Sequence, residues 1–320
     1  MLWLVATLNF IIFSLQRGNP VAYILNVEMD KEMKERLLQA YGWYDPPHVK
    51  YIKYLRNLFS FGIVYPYFGW SIMANDFVAR QMSWRLAITV MLLGSALIGR
   101  ILVGIPLGIL SAAKRKTKID VAIVGTSLFT WGVPGFFIQL IAIYIFGRIL
   151  RDTYGIKIFA TSWGPIAKPG TLEWWSQAMS QLTLPILTLI AMGFGSWVIY
   201  TRNMLIDALT SDYVLTARAK GLKERTVLYR HAFKSILPPV STLITLSIPG
   251  VVTGAIITET IFGIEGIGKW YISALSTQHA DYAVAQAVLF IYAVLVILCN
   301  FIADVLYGFL DPRIRVGERR

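Results

Sequence analysis

The sequence has little of what redox and metal chemistry require. One of its 320 residues is cysteine, which excludes an intramolecular disulfide, and three are histidine. His48, His231 and His279 are scattered along the chain, so no zinc or haem site with several ligands is expected. We therefore predict no metal site and no cofactor bound by this chain.

Charge is also scarce, at 15% of residues, whereas hydrophobic residues make up 56% and the mean hydropathy is +0.59. These values lie outside the range of soluble domains and are typical of a protein embedded in a membrane. The formal net charge of +12 would suggest a nucleic-acid ligand in a soluble chain. Its meaning here depends on where the cations lie.

Six stretches reach or approach the length of about 20 apolar residues that a membrane-spanning helix needs. We predict an all-α polytopic protein, a single transmembrane domain over residues 1–320. The predicted spans are residues 1–15, 86–113, 120–147, 182–201, 238–261 and 284–309. Because the first is short, we expect either a start upstream of Met1 or a short, tilted helix. A signal peptide is the alternative, but the sequence has neither its basic stretch nor its small-residue cleavage site.

Lysine and arginine crowd the loops after the second and fourth spans, and the C-terminal tail. Short loops rich in these residues stay in the cytoplasm, so both termini are predicted to lie inside. The positive charge is then a topology signal, and no nucleic-acid partner is expected. Residues 16–85 would form an extracytoplasmic segment longer than a connector needs, which indicates a small cap.

The cytoplasmic loop 210–237 predicts a helix, a turn and a second helix. Ser211 is positioned to cap the first helix, where Asp212 would interact favourably with the helix dipole. Gly221 is predicted to end that helix in a left-handed conformation. Pro238 is predicted to end the second helix after Leu237.

Small and apolar residues of this hairpin suggest a contact surface. Ala217 and Ala219 permit close approach of another backbone, and Leu222 at the turn offers an apolar knob for a partner's pocket. The cations of the loop would equally suit anionic lipid. The residues alone therefore leave two interpretations open, protein docking and lipid association.

Few charges fall inside the predicted spans. Arg100 lies near the middle of the second span, where a charge costs at least about 2.5 kcal/mol. It either faces a pore, makes a contact buried between helices or lies at a subunit interface, and all three remain open. Glu259 and Asp304 lie nearer the ends of their spans. Four prolines are expected to break or kink spans: Pro106, Pro134, Pro185 and Pro249.

Together these motifs resemble a known family. Residues 212–222, followed by His-Ala-Phe-Lys at 231–234 and Leu-Pro at 237–238, are similar to the EAA loop of permease subunits of ABC importers, in the dipeptide and oligopeptide branch. Further similar motifs lie at residues 104–110, 259–268, 281–282 and 310–315. Two departures stand out: Leu-Thr-Ala occupies the Glu-Ala-Ala position at 215–217, and Arg-Gly-Asn-Pro at 17–20 replaces the usual Pro-Gly-Asp-Pro turn.

The resemblance implies half of a translocation pathway for peptides or short oligosaccharides, in the cell membrane of a prokaryote. It implies that the hairpin contacts a separate ATPase through Asp212, Ala217, Ala219, Gly221 and Leu222. The candidate pathway and gate residues are Arg100, Glu259, Gly266 and Gly268. The implied partners are a second similar permease, one or two ATPases carrying ATP and Mg²⁺, an extracytoplasmic binding protein and membrane lipid.

Other functional classes fit less well. The nearest match to a phosphate-binding loop, at residues 263–269, is followed by Trp270 where Mg²⁺ needs a hydroxyl, so ATP hydrolysis is expected on the separate ATPases. An ion-coupled secondary transporter is the alternative, but it would need midplane carboxylates, and neither Glu259 nor Asp304 is central. An intramembrane enzyme would need a paired nucleophile and base, and no catalytic residue is predicted.

Overall fold

The computed structural model describes residues 1–15, 44–59, 68–71, 74–167, 170–252, 256–276 and 281–310, with the single positions 32, 35 and 39. For positions 15, 249, 252, 303 and 306–310 only the backbone is described. Two motifs predicted from the sequence, the turn 17–20 and the tail residues 311–315, lie outside the described residues.

Most of the described chain is helical. Its first half contains α1 (Leu2–Leu15), α2 (Pro47–Phe59), β1 (Trp70–Ser71), β2 (Asp76–Phe77), α3 (Val78–Ala113), α4 (Lys118–Gly132), α5 (Gly135–Ile143), a π-helical stretch (Tyr144–Thr153) and α6 (Leu172–Leu209). Its second half contains α7 (Asp212–Ala219), α8 (Glu224–Thr226), a second π-helical stretch (Val227–Phe233), α9 (Lys234–Val252), α10 (Ile256–Phe262), α11 (Ile267–Ala274) and α12 (Tyr282–Leu310).

The chain forms two compact units, and the first comprises Met1–Thr89, Val252–Thr260 and Glu265–Ile297. Its core is apolar and draws on α1, α3, α11 and α12. The buried members include Phe13, Val78, Met82, Ile267, Trp270, Val284 and Val288. Strands β1 and β2 form an antiparallel ribbon that the sequence did not predict.

The second unit comprises Val90–Val251, Ile261–Ile264 and Leu298–Arg320. Within it α3 and α6 pack closely, and two glycines of α3 make this possible. A Cβ on Gly104 would lie 2.4 Å from the Cβ of Trp197, and a Cβ on Gly108 would lie 2.7 Å from the Cβ of Thr201, so a larger residue would not fit at either position. Small residues four apart are a common means of bringing membrane helices together. The motif at residues 104–110 therefore has a packing role in this fold.

Three described helices are long and apolar enough to cross a membrane: Val78–Ala113, Leu172–Leu209 and Tyr282–Ile302. Helix α1 is apolar but shorter, as the sequence predicts. Helices α9 and α10 cover the predicted fifth span except for residues 253–255, which the structure does not describe. The count of six spans stays a prediction.

A sharp break interrupts the predicted third span. The segments Lys118–Gly132 and Gly135–Thr153 meet at 92°, so residues 120–147 do not form one straight helix. The cause is local: Pro134 cannot donate a backbone hydrogen bond, and it forces the preceding Val133 into an extended conformation (φ −78°, ψ 130°). The prediction that Pro134 breaks its span is confirmed.

Candidate functional site

The turn of the hairpin is built around Gly221. This residue has φ +75°, so the predicted left-handed conformation is confirmed. Its N–H donates to the carbonyl of Arg218 (2.9 Å), and the N–H of Leu222 donates to the carbonyl of Ala217 (3.4 Å). These two bonds form a Schellman motif, which satisfies carbonyls at the end of α7 and fixes the direction in which the chain leaves it.

The start of the hairpin differs from the prediction. Ser211 occupies the N-cap position in an extended conformation, but its side chain makes no capping bond. Its hydroxyl instead donates backwards to the carbonyl of Ala208, one of the orphan carbonyls at the end of α6. Asp212 is exposed in the first turn of α7, where the dipole favours it as expected.

The second arm does not end at Pro238, so that prediction was wrong. Helical backbone continues from α8 through the π-helical stretch into α9, which contains Pro238 and Pro239 and runs to Val252. A π-helical adjustment allows a helix to accommodate the backbone groups that proline leaves unpaired. Ser241 and Thr242 donate their hydroxyls to the carbonyl of Pro238, at 2.7 and 3.1 Å.

Two cross-links that sequence reasoning missed fasten the arms together. Arg218 donates from Nε and Nη2 to the two carboxylate oxygens of Glu224, at 2.9 and 3.3 Å, and from Nη1 to the carbonyl of Leu209 (3.3 Å). The hydroxyls of Tyr213 and Ser235 lie 2.6 Å apart. The ion pair between Arg218 and Glu224 could have been predicted, because opposite charges stand on either side of the turn at Gly221 in the sequence.

The hairpin has an inner and an outer face. Ala217 is 4% exposed and belongs to an apolar cluster with side chains of α3, α6 and α9. The outer face is exposed and partly apolar, with Leu215 51% and Leu222 39% exposed. Ala219 and Gly221 are also exposed. Of the predicted coupling residues, Ala217 therefore packs within its own chain, and the others are accessible to a partner.

A buried ion pair stabilises the neighbouring loop between α3 and α4. Arg202 of α6 donates from Nε and Nη2 to the two carboxylate oxygens of Asp120, at 2.8 and 2.9 Å. Ser111 and the backbone N–H of Lys116 also donate to this carboxylate. Arg202, counted as a topology signal in the sequence, thus also joins α6 to α4, and nothing local predicted its distant partner.

The predicted gate residue Glu259 is fully buried in the first unit. Thr89 of α3 donates its hydroxyl to Oε1 of Glu259 (2.7 Å), and the backbone N–H of Lys269 donates to Oε2 (2.8 Å). The hydroxyl of Thr89 in turn accepts the N–H of Ile267 (3.0 Å). Glu259 and Thr89 together satisfy two of the orphan donors at the N-terminus of α11, where the helix dipole favours an anion.

Gly266 and Gly268 make room for this carboxylate. A Cβ on Gly266 would lie 2.2 Å from Oε1 of Glu259, and one on Gly268 would lie 3.0 Å from Oε2. Both predicted glycines therefore lie beside the carboxylate of the predicted gate residue Glu259. The glycine-rich loop that resembles a phosphate-binding loop is filled by the chain's own anion.

Arg100 makes a contact between helices of the second unit. Its Nε donates to the carbonyl of Leu189 in α6 (2.8 Å), and a Cβ on Gly193 would lie 2.2 Å from that nitrogen. The interhelical contact left open by the sequence is therefore present. The half-buried side chain packs across Gly193, which fixes α3 against α6 at this level.

Matches to known proteins cover most of the chain. Residues 104–316 match the family model described as binding-protein-dependent transport system inner membrane component. The chain is 33% identical to the oligopeptide transport system permease protein AppB of Bacillus subtilis over 313 residues, covering 97% of this chain and 94% of that protein. It is 31% identical to the dipeptide transport system permease protein DppB of Escherichia coli, with the same coverage. It is 28% identical to the peptidoglycan transport system permease protein YejB of Agrobacterium fabrum, covering 91% of this chain and 78% of that protein.

Proposed function

Because the chain belongs to the family of binding-protein-dependent transport system inner membrane components, we propose that it forms half of the translocation pathway of an ABC importer for peptides. It is a multi-pass membrane permease. Relatives named for oligopeptide and dipeptide transport support a peptide substrate over a simple oligosaccharide. ATP-dependent uptake of labelled di- and tripeptides, compared with short oligosaccharides, tests this choice.

The partners proposed are a second, similar permease, one or two ATPases and an extracytoplasmic binding protein, with lipid around the helices. ATP and Mg²⁺ would bind the ATPases, and this chain would receive the conformational change. The observation that supports coupling is the outer face of the hairpin, where Leu215 of α7 and Leu222 of the turn are exposed, and where Arg218 pairs with Glu224 across the turn. A rigid apolar projection is suited to a pocket on another protein, because little conformational freedom is lost on binding.

Replacement of Leu222 by aspartate tests the coupling proposal. Leu222 is exposed and lies outside the buried cluster, so Leu222→Asp should leave the permease at normal membrane levels. We expect lost co-purification of the ATPases, or at least a tenfold loss of substrate-stimulated ATP hydrolysis, as for an interface anchor worth about 2 kcal/mol.

The alternative of lipid association makes the opposite prediction. Neutralising Lys223, Arg225 and Arg230 together would then have the dominant effect, and Leu222→Asp would do little. The matched control is Lys118→Gln, which removes an exposed charge from the start of α4, outside the hairpin. ATPase binding that survives Leu222→Asp but not the triple neutralisation would contradict the coupling proposal.

We further propose six spans with both termini in the cytoplasm, residues 16–85 as an extracytoplasmic cap and 210–237 as the coupling hairpin. A chain with Cys299 removed should react with an impermeant thiol reagent at Lys220→Cys only from the cytoplasmic side, and at Tyr44→Cys only from outside. Both positions are exposed. Labelling of Lys220→Cys from outside intact cells would overturn the topology.

A further inference from the structure

A small cavity of about 240 Å³ lies in the first unit beside the start of α11. Its lining combines two cations, one carboxylate, one hydroxyl and an apolar wall: Arg85, Lys269, Glu265, Ser273, Trp270 and Ala74. The cavity is separate from the Glu259 carboxylate, although Lys269 contributes its backbone to one and its side chain to the other.

Arg85 is held firmly in this cavity. Its guanidinium carbon lies 4.3 Å from the ring centroid of Trp84 and 5.2 Å from that of Trp270, within the range of cation–π contacts. Nη1 donates to the carbonyl of Glu265 over 3.4 Å, a long bond. Nε is buried and has no acceptor in the described part of the chain. Nε is too deeply buried to contact a ligand in the cavity, but Nη1 makes only this one long bond, and a guanidinium fixed in orientation is suited to bind a carboxylate.

We propose that this cavity receives the C-terminal carboxylate of a peptide, bound by Arg85 with support from Lys269. The inference rests on the proposed function, since it assumes a peptide substrate. Two cations against one carboxylate leave a net charge of one positive unit, which suits a single carboxylate. Glu265, which is exposed, disfavours an occupant with several negative charges. Trp270 and Ala74 offer apolar contact for the last side chain of the peptide.

A peptide bound in this cavity would lie next to the predicted gate residue Glu259, because both contact the start of α11. Lys269 is in the first turn of α11, and its N–H is bonded to the buried Glu259. A peptide carboxylate at the Lys269 side chain would therefore contact the same helical turn that the gate carboxylate stabilises. Binding of substrate in the cavity would therefore act directly on the first turn of α11.

The test uses the complete importer, purified without its binding protein, and two probes, trialanine and trialanine amide. Binding is measured by titration calorimetry for the wild type, Arg85→Gln and Arg85→Lys. The control is Arg80→Gln, on the same helix, where the arginine is exposed and paired with Asp76. We expect the wild type and the control to bind the acid about tenfold more tightly than the amide, as for a charge-assisted hydrogen bond. Arg85→Gln should abolish that preference, and Arg85→Lys should keep part of it.

The outcomes separate the alternatives. A purely structural role for Arg85 would weaken both peptides equally in Arg85→Gln, and this would overturn the proposal. So would equal binding of acid and amide by the wild type, or no binding of either. If the cavity receives an acidic side chain of the binding protein instead, Arg85→Gln lowers the affinity for peptide-free binding protein and leaves trialanine unaffected.

The proposed function is tested separately by uptake into proteoliposomes with the binding protein present. Absence of ATP-dependent peptide uptake would contradict peptide import itself, and the present inference with it. Normal peptide uptake together with no acid-over-amide preference would contradict this inference alone.

Discussion

The hairpin turn and the loop before α11 both depend on a glycine, but for different physical reasons. Gly221 has φ +75°, and a Cβ there would meet nothing within 4 Å. Gly266 has an ordinary φ of −81°, and a Cβ there would overlap the carboxylate of Glu259 at 2.2 Å. At Gly221 the backbone conformation requires glycine, whereas at Gly266 the lack of space for a side chain requires it. The space beside the hairpin turn is thus open to a partner, whereas the space beside Gly266 is filled by the side chain of Glu259.

The largest effect should come from Gly266→Ala. Its methyl group must displace a buried carboxylate that is hydrogen-bonded to two elements, so we expect a loss of about 1–3 kcal/mol in stability, the usual cost of overpacking. Thermal unfolding of the purified importer measures it. The control is Gly125→Ala, where the added Cβ meets nothing within 4 Å. Equal melting temperatures for the two variants would contradict the claim that a side chain at Gly266 overlaps the carboxylate of Glu259.

Gly221→Val should cost less, about 1–2 kcal/mol, because the strain is confined to one left-handed residue. The effect should appear in coupling rather than in membrane insertion, as reduced ATPase co-purification at near-normal permease levels. Gly221→Asn is the matched control, since asparagine tolerates this conformation better than other residues with a Cβ. If valine and asparagine behave alike, the conformational argument for Gly221 fails.

The sequence predicts the features that depend on neighbouring residues. A glycine between two helical patterns predicts the left-handed stop at Gly221, and Pro134 predicts a break in its span. Pro238 shows the limit of such rules, because a π-helical stretch upstream allows the helix to continue through it. Proline alone does not indicate which outcome follows.

Features that depend on distant residues could not be predicted. Thr89 and Glu259 are separated by 170 positions, and Asp120 and Arg202 by 82, so neither pair has a local signal. Ala217 illustrates a different ambiguity. A small residue permits close packing against either a partner or its own chain, and here its own chain occupies the space. An Ala217→Arg variant would therefore disrupt the buried cluster of the hairpin and could not report on a partner contact alone.

The most direct test of the account is protection of Leu222 by the ATPase. Inside-out vesicles would carry the importer without Cys299 and with a single cysteine at Leu222 or, as a control, at Lys118, both exposed positions. The account predicts that bound ATPase slows thiol labelling at Leu222→Cys by tenfold or more, as for a site buried in an interface, and leaves Lys118→Cys unchanged. Equal labelling of Leu222→Cys with and without bound ATPase would contradict the hairpin's role as the coupling element.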